Sequence, residues 1–319
     1  MAIYIRRYSS SANPFGTDLP TSAGAPAITG VAGSLISVLD YCLTDSTYGI
    51  GWTKAYSGTN KAVYRQPTSG ANGFYLAVDD SVGQNATING FESMSSVTAG
   101  TGQFPTVAQR AALQSGWGLS IYKSNSATST ARSWQFFSNG KIFYLVTFPA
   151  DSSGSQLSIF GDYVSYRSGD QFNTVVCGST STGATTSSTC MTTVQSWNSV
   201  GGTHFGPRSY SQAGTSVNLS AIPSAAGMMV SPYGGSGEAY PSPITGNLNM
   251  CPIYVAEYTV GIRGILPGLW APIHTRPFAV GDTFTGNGDV AGKTFEVTSS
   301  GSNSYAQFFI ETSDTWVTS

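Results

Sequence analysis

Charge is the property that this sequence lacks most. Lysine, arginine, aspartate and glutamate make up 9% of the 319 residues, against about 25% in an average soluble domain. Glycine is abundant (38 residues), as are tyrosine (17) and phenylalanine (16). Low charge with many aromatic residues is typical of surfaces buried against other subunits. A secreted β-protein with a surface of serine, threonine and glycine is the alternative.

The sequence also lacks the features that mark nucleic-acid-binding and membrane proteins. Its net charge of −2 provides no basic surface for nucleic acid. No apolar run is long enough to span a membrane. Arg6-Arg7 is followed by a polar, turn-rich segment instead of the apolar region of a secretory signal. We therefore expect no nucleic acid, no membrane and no export signal.

Residues that bind metals are few. The four cysteines have no Cys-x-x-Cys spacing, and His204 and His274 are the only histidines, so the sequence predicts no metal site. Cys177 and Cys190 flank a Ser/Thr/Gly segment and are candidates for a disulfide. Four free thiols are the favoured interpretation, because disulfides belong to exported proteins.

The motifs of common enzymes are incomplete. A Ser-His-Asp triad would combine a histidine with Asp162, Asp170 or Asp282, but no serine lies in a Gly-x-Ser-x-Gly motif. The segment GNGDVAGKT at 286–294 lacks the glycine spacing of a phosphate-binding loop, and a strand pattern follows it instead of a helix. We therefore predict no enzyme, no catalytic residue and no cofactor.

Two groups of residues leave a binding role open. Asp79-Asp80 with Glu92 is a candidate carboxylate pair or calcium site, although adjacent aspartates at a strand end usually form a turn. Tryptophans can line a sugar-binding groove, but packing in a core or an interface is their commoner role. The six are Trp52, Trp117, Trp134, Trp197, Trp270 and Trp316.

The central feature of the sequence is a predicted β-hairpin, RSWQFFSNGKIFYLVTF, at 132–148. Asn139-Gly140 between two aromatic and β-branched runs indicates a type I′ turn. With Ser138 opposite Lys141, one face carries four residues that we predict to be core: Trp134 opposite Leu145, and Phe136 opposite Phe143. The other face is also largely apolar, so we expect the hairpin to be covered on both sides.

The rest of the chain reads as many short strands with turn signals between them. One helix is predicted over 34–44, with Ser34 as N-cap and a core-facing stripe of Leu35, Val38, Leu39 and Cys42. The segment 266–270 (LPGLW) reads as a turn. We expect an all-β fold, a β-sandwich or barrel-like core of short antiparallel strands with one short N-terminal helix.

The sequence suggests four regions. Residues 1–33 form a proline-containing extended arm, 34–178 a β core, 179–190 a low-complexity Ser/Thr/Gly loop, and 191–319 a C-terminal β region. Such an arm cannot pack alone, so we expect its strand to add to the sheet edge of a neighbouring subunit. Its anchoring side chains would be those of Tyr4, Tyr8 and Phe15.

Several stretches together resemble a family of virion structural proteins of tailed bacteriophages. They are GVAGSLI (30–36), GWTK (51–54), NKAVYR (60–65), FYLAVDD (74–80), GFESM (90–94), ARSW (131–134), FGD (160–162), LPGLWAP (266–272), GDTF (281–284) and AGK (291–293). The resemblance covers most of the chain outside 179–260. It implies a tail-associated structural role and no catalytic residues.

The leading interpretation is a non-enzymatic virion component, one copy among many in a symmetric assembly, with copies of itself and other virion proteins as partners. The first alternative is a carbohydrate-binding adhesin on a fibre or spike, which would take a host surface glycan in a concave site with an exposed tryptophan or tyrosine. The second alternative is a cell-wall hydrolase, which requires clustered carboxylates or histidines with perturbed pKa values.

Overall fold

The computed structural model describes residues 2–10, 19–113, 118–150, 155–179, 204–223, 241–242, 246–258, 260–272, 274, 278–299, 307–313 and 315–316. In these ranges the chain is mostly β-strand, which confirms the all-β fold class. The strands form two sheets, one of 13 strands and one of 6, and every pairing in them is antiparallel.

The large sheet runs through both halves of the chain. Its strands follow one another in space as β1 (Tyr4–Tyr8), β8 (Ser133–Ser138), β9 (Ile142–Phe148), β10 (Gln156–Asp162), β12 (Thr174–Cys177), β13 (His204–Gly206), β14 (Val217–Pro223), β15 (Met250–Glu257), β16 (Gly261–Pro272), β19 (Gln307–Glu311), β18 (Thr294–Ser299) and β17 (Thr283–Thr285). A further strand, β11 (Val164–Ser165), pairs with β16.

The small sheet and the helices come from the first half of the chain. The sheet contains β2 (Thr53–Gly58), β3 (Lys61–Arg65), β4 (Tyr75–Asp79), β5 (Asn85–Met94), β6 (Gly100–Phe104) and β7 (Leu119–Tyr122). Helix α1 (Ser34–Leu39) continues as a π-helical turn over Asp40–Thr44, α2 spans Val107–Ala112, and a 3-10 turn spans Gly288–Val290. The residues of the predicted helical stripe are all buried.

Three layers of sheet enclose two large hydrophobic cores, and a smaller third cluster contains Phe295, Val297 and Phe309. The first core lies where the large sheet folds over, with β9, β10 and β12 on one side and β15, β16 and β19 on the other. The second core lies between the opposite face of β8, β9 and β10 and the small sheet with α1. The fold is therefore sandwich-like, and β8 to β10 form its middle layer.

The central hairpin occupies that middle layer, and every residue of β8 and β9 is buried. Alternate side chains enter different cores. Trp134, Phe136, Phe143 and Leu145 lie in the second core, whereas Phe137 and Tyr144 lie in the first. A ribbon that serves two cores needs apolar residues on both faces, which is the pattern that the sequence has.

The register of this hairpin differs from the predicted one by two residues. Phe136 pairs with Leu145, and Ser138 pairs with Phe143. The prediction of a type I′ turn is wrong. Such a turn needs positive φ at both central residues, and only Gly140 of the dipeptide has it (87°). Instead the Asn139 carboxamide oxygen accepts the N–H groups of Lys141 and Ile142 at 3.0 and 3.1 Å. This side-chain turn lengthens the loop, and the even shift leaves each residue on its predicted face.

The N-cap of α1 is also different from the prediction. Gly33 is the N-cap residue, with φ of 83°, and Ser34 is the first helical residue. The Ser34 hydroxyl donates to the Thr29 carbonyl at 2.8 Å. The carboxylate of Asp80 accepts the Leu35 N–H at 2.8 Å. A side chain distant in sequence thus takes the place of the local cap.

The predicted turn at 266–270 is part of strand β16. Tyr254 pairs with Ile265 and Pro252 with Trp270, so β16 has extra residues that bulge from the ladder there. Gly268 has φ of 71°, and a Cβ on it would lie 2.5 Å from the Trp316 ring. A bulge accommodates a proline and a positive-φ glycine inside a strand, so these residues did not mark a turn.

The N-terminal strand belongs to the chain's own sheet. β1 pairs with β8 over its whole length, from Tyr4 opposite Ser138 to Tyr8 opposite Trp134. Tyr4 and Tyr8 pack against the second core, and Phe15 lies outside the described residues. The structure therefore corrects the expectation that this strand adds to a neighbour's sheet.

The proposed regions do not correspond to structural units. β12, from the predicted core region, pairs with β13, from the C-terminal region. β11 likewise pairs with β16. Of the predicted loop over 179–190, only Ser179 is described, and it forms an isolated bridge with Ser120. The large sheet is thus continuous across the predicted boundary.

Candidate functional site

An open cleft with a volume of about 410 Å³ lies where several loops meet at one end of the middle layer. Its lining comes from the β3–β4 loop, the β8–β9 turn, the segment from β10 to β12, and the bulge of β16. Ligand sites in proteins commonly have volumes of about 300–1,000 Å³. The cleft is therefore large enough for a small ligand or part of a polymer.

The floor of the cleft is a hydrogen-bond network centred on Asp162. Its carboxylate accepts the Asn72 N–H at 2.8 Å, the Gln66 Nε2–H at 2.9 Å and the Thr174 hydroxyl at 2.6 Å. Burial raises the pKa of Asp162, and these hydrogen bonds oppose that shift. The Asn72 amide also donates to Asn173 Oδ1 at 2.9 Å. These contacts fix the side chains of the floor in place.

One wall of the cleft is held by a second buried network. Asp170 accepts the Ser165 hydroxyl at 2.8 Å and an Arg263 Nη2–H at 3.3 Å. The guanidinium of Arg263 also binds Glu257 at 3.2 Å. Arg263 is fully buried, so the two carboxylates compensate a charge that water cannot reach.

The rim of the cleft carries one exposed aromatic ring and two cations. Tyr166 is 58% exposed, and its ring lies 6.3 Å from that of Tyr254. Arg167 lies over the Tyr210 ring at 5.1 Å, and Lys141 also lines the cleft. An aromatic face beside cations and fixed amides can hold a polar ligand by stacking and hydrogen bonding.

A second surface feature lies beside this rim. Tyr258, Val260 and Ile262, at the tip of the β15–β16 hairpin, are 102%, 44% and 48% exposed. We refer to these three residues as the hairpin tip. The backbone N–H of Tyr166 donates to the Arg263 carbonyl at 2.7 Å, so the tip and the cleft rim are adjacent. Clustered exposed apolar side chains are typical of interaction surfaces.

The two histidines occupy structural positions. His204 lies buried in β13, and burial lowers its pKa to about 4. His274 is also buried, and its Nε2 accepts the Asn249 N–H at 2.7 Å. Among the hydrogen bonds described here, the candidate triad aspartates 162, 170 and 282 bind groups other than histidine.

The three acidic residues of the candidate calcium site have separate partners. Asp79 binds Lys61 at 2.6 Å on the surface, whereas Asp80 is fully buried against Lys123. Glu92 accepts two hydrogen bonds from the Arg208 guanidinium, at 2.8 and 2.7 Å. Within the described ranges, no three His, Cys, Asp or Glu side chains gather as around a metal ion.

The described tryptophans pack inside the protein. Trp52, Trp134 and Trp316 are buried, and each indole N–H donates to a backbone carbonyl. Trp270 is half-buried against Phe295. Trp117 and Trp197 lie outside the described residues. The exposed ring at the cleft is thus a tyrosine, which the sequence did not single out.

Within the described ranges, neither the cysteines nor the helices add a further site. Cys42, Cys177 and Cys251 are buried, burial raises the pKa of the Cys42 thiol well above its usual value, and Cys190 lies outside the described residues. None of the described helices is long and apolar enough to cross a membrane.

Sequence reasoning missed the buried ion pair of Asp80 with Lys123, and it missed the cleft. The pair joins residues 43 positions apart, and the cleft joins Asn72 with Asp162, 90 positions apart. Comparison with models of known protein families gives no match. Comparison with curated protein sequences gives none either.

Proposed function

We propose that this chain is a non-enzymatic structural component of a tailed-phage virion, tail-associated and present as one copy among many in a symmetric assembly. The proposal assigns no catalytic residue, metal or cofactor. Its partners are copies of itself and other virion proteins. The resemblance of the sequence to virion structural proteins suggests this role, and the surface of the fold supports it.

The main support for the proposal is the solvent exposure of the hairpin tip. Tyr258 is 102% exposed, and the aliphatic residues that follow it at the tip, Val260 and Ile262, are 44% and 48% exposed. The chain has few charges elsewhere to keep it in solution. A contact that covers the tip removes apolar surface from water, which stabilises an assembly by about 25 cal/mol per Å².

The experiment is a measurement of particle mass over a range of protein concentrations. Wild-type protein should form oligomers of defined size, and the double variant Tyr258→Ser with Ile262→Ser should remain monomeric. Val107→Ser is the matched control, because Val107 is 69% exposed but lies on α2. A wild-type protein that stays monomeric at all concentrations, or a double variant that assembles normally, contradicts the proposal.

A carbohydrate-binding adhesin is the second candidate function, and the cleft is the observation that favours it. Tyr166 offers a stacking face, the Asn72–Asp162–Asn173 network offers fixed polar groups, and Lys141 with Arg167 supplies positive charge. Stacking on an aromatic face and pairing with cations together suit a saccharide that carries carboxylates. An acidic surface polysaccharide is therefore the ligand class that this cleft fits.

This second candidate is tested by titrating the protein with polygalacturonate and with neutral dextran. Only the acidic polymer should bind, and Tyr166→Ala or Lys141→Ala should weaken its binding about tenfold, the loss of one contact of ~1.4 kcal/mol. Lys54→Ala is the control, since Lys54 does not line the cleft. No binding of the acidic polymer, or equal weakening by Lys54→Ala, argues against the adhesin.

A further inference from the structure

Lys123 and Asp80 form an ion pair whose side chains are closed off from the protein surface. Lys123 follows β7 and Asp80 follows β4. Lys123 Nζ touches Asp80 Oδ1, and both side chains are 0% exposed. Leu35 and Val78 are buried beside them in the second core. A lysine and an aspartate enclosed in this way are held at reacting distance for as long as the protein is folded.

The other contacts of the pair are neutral. Lys123 Nζ donates to the Val31 carbonyl at 2.8 Å and lies 3.4 Å from the Ser34 hydroxyl. The second oxygen of Asp80 accepts the Leu35 N–H at 2.8 Å. The hydrogen bond to Oδ2 therefore fixes the orientation of the carboxyl group, and Oδ1 faces the Lys123 amine.

Enclosure favours the uncharged forms of both groups. Burial raises the pKa of the Asp80 carboxyl and lowers the pKa of the Lys123 ammonium, and their mutual attraction opposes both shifts. Transfer of one proton from Nζ to Oδ1 converts the ion pair into an amine and a carboxylic acid. A neutral lysine amine is a nucleophile.

We propose that Lys123 and Asp80 are joined by an amide bond between Nζ and Cγ. The amine attacks Cγ, and the C–N bond forms as the Oδ2 carbonyl becomes an oxyanion. The bond from Cγ to Oδ1 then breaks, and Oδ1 leaves as water after taking a proton from Nζ. One water is lost, no electron is transferred, and no co-reactant is required.

The neighbouring groups match the needs of this step. The Leu35 N–H points at Oδ2, where negative charge develops, as an oxyanion-hole donor does. Nζ contacts the leaving oxygen Oδ1 directly, so its proton can pass to that oxygen without an intermediate group. The bond would join the end of β4 to the end of β7 covalently, and the Leu35 N–H would keep the start of α1 hydrogen-bonded to it. This modification goes beyond the proposed function and does not depend on it.

The test is the mass of the intact, denatured wild-type protein. We expect a mass one water below that of the sequence, a missing tryptic cleavage after Lys123, and one cross-linked peptide that contains both residues. Because the measurement uses the wild-type chain, it needs no variant that folds. A mass equal to that of the sequence, or a water loss that maps elsewhere, overturns the proposal.

Two variants sharpen this test. Asp80→Asn should lose ammonia in place of water if it folds, because the leaving group changes while the amide product is the same. Lys123→Met should show the full mass of its sequence. The Lys293–Glu311 pair is the internal control: Lys293 is 28% exposed, so we expect its tryptic cleavage to be normal, and a cross-link found there instead also overturns the proposal.

Discussion

Replacing Glu296 with alanine tests the link between the first strand and the C-terminal strands. Glu296 lies in β18 and is 2% exposed. Its carboxylate accepts an Arg7 Nη2–H at 2.7 Å and the Gln135 amide N–H at 2.7 Å. Arg7 is in β1 and Gln135 in β8. These contacts close the large sheet onto itself around the first core.

The expected cost follows from the burial of this pair. Alanine at 296 leaves the Arg7 guanidinium, whose side chain is 11% exposed, without its carboxylate. Removing one partner of a buried ion pair costs about 3–5 kcal/mol. The double variant Arg7→Met with Glu296→Leu removes both charges, so it should recover most of that loss.

Urea unfolding followed by circular dichroism measures the effect. Lys54→Ala is the control, because the Lys54–Asp40 pair is exposed, at 30% and 38%, and such pairs contribute less than about 1 kcal/mol. If Glu296→Ala lowers the free energy of unfolding no more than Lys54→Ala does, the closure of the sheet does not rest on this pair.

Three further predictions concern other parts of the fold. Trp134→Ala should lower the free energy of unfolding by about 3–5 kcal/mol, and a variant with unchanged melting would show that the hairpin is peripheral. His204 is neutral in the folded state, with a pKa of about 4 against the unfolded value of 6.5. The unfolded state therefore binds more protons between these values, and stability should fall by about 3 kcal/mol as the pH drops from 6.5 to 4. His204→Gln should lose this part of the pH dependence, and an identical pH profile would refute the assignment. The amides of β1 that hydrogen-bond to β8 should exchange slowly in isolated protein, because β1 pairs within its own chain; fast exchange there would restore the neighbour-docking hypothesis.

The sequence predicted the middle layer well because its signal is local. Trp134 and Phe136 alternate with Gln135 and Phe137, and period-two alternation fixes which face each side chain occupies. The register was wrong because the Asn139 side chain, rather than the backbone, closes the turn. The Asn-Gly dipeptide alone does not distinguish a type I′ turn, which the backbone closes, from a turn that the asparagine side chain closes.

The position of the N-terminal strand was not predictable from composition. Its polar, proline-containing surroundings suggested an arm that needed a neighbour. The strand pairs with β8, and Arg7 binds Glu296, 289 positions apart. Nothing local to these residues indicates either contact. The same holds for Asp80, which looked like part of a turn and is instead a buried partner of Lys123.

The cleft could not be predicted for a related reason. Its floor joins Asp162, at the end of β10, with Asn72 and Asn173 from two different loops. Its exposed ring, Tyr166, is one of 17 tyrosines. Loop residues have no periodic pattern, so only the assembled sheet brings these side chains together.

The most direct test of the proposed function is to locate the chain on a particle. Gold-labelled antibody raised against the purified protein is applied to tailed-phage particles from cultures that carry its gene, and the particles are imaged by electron microscopy. We predict several gold labels per particle, placed at the tail in a symmetric arrangement. Particles without label, alongside free protein in the lysate, would contradict the account.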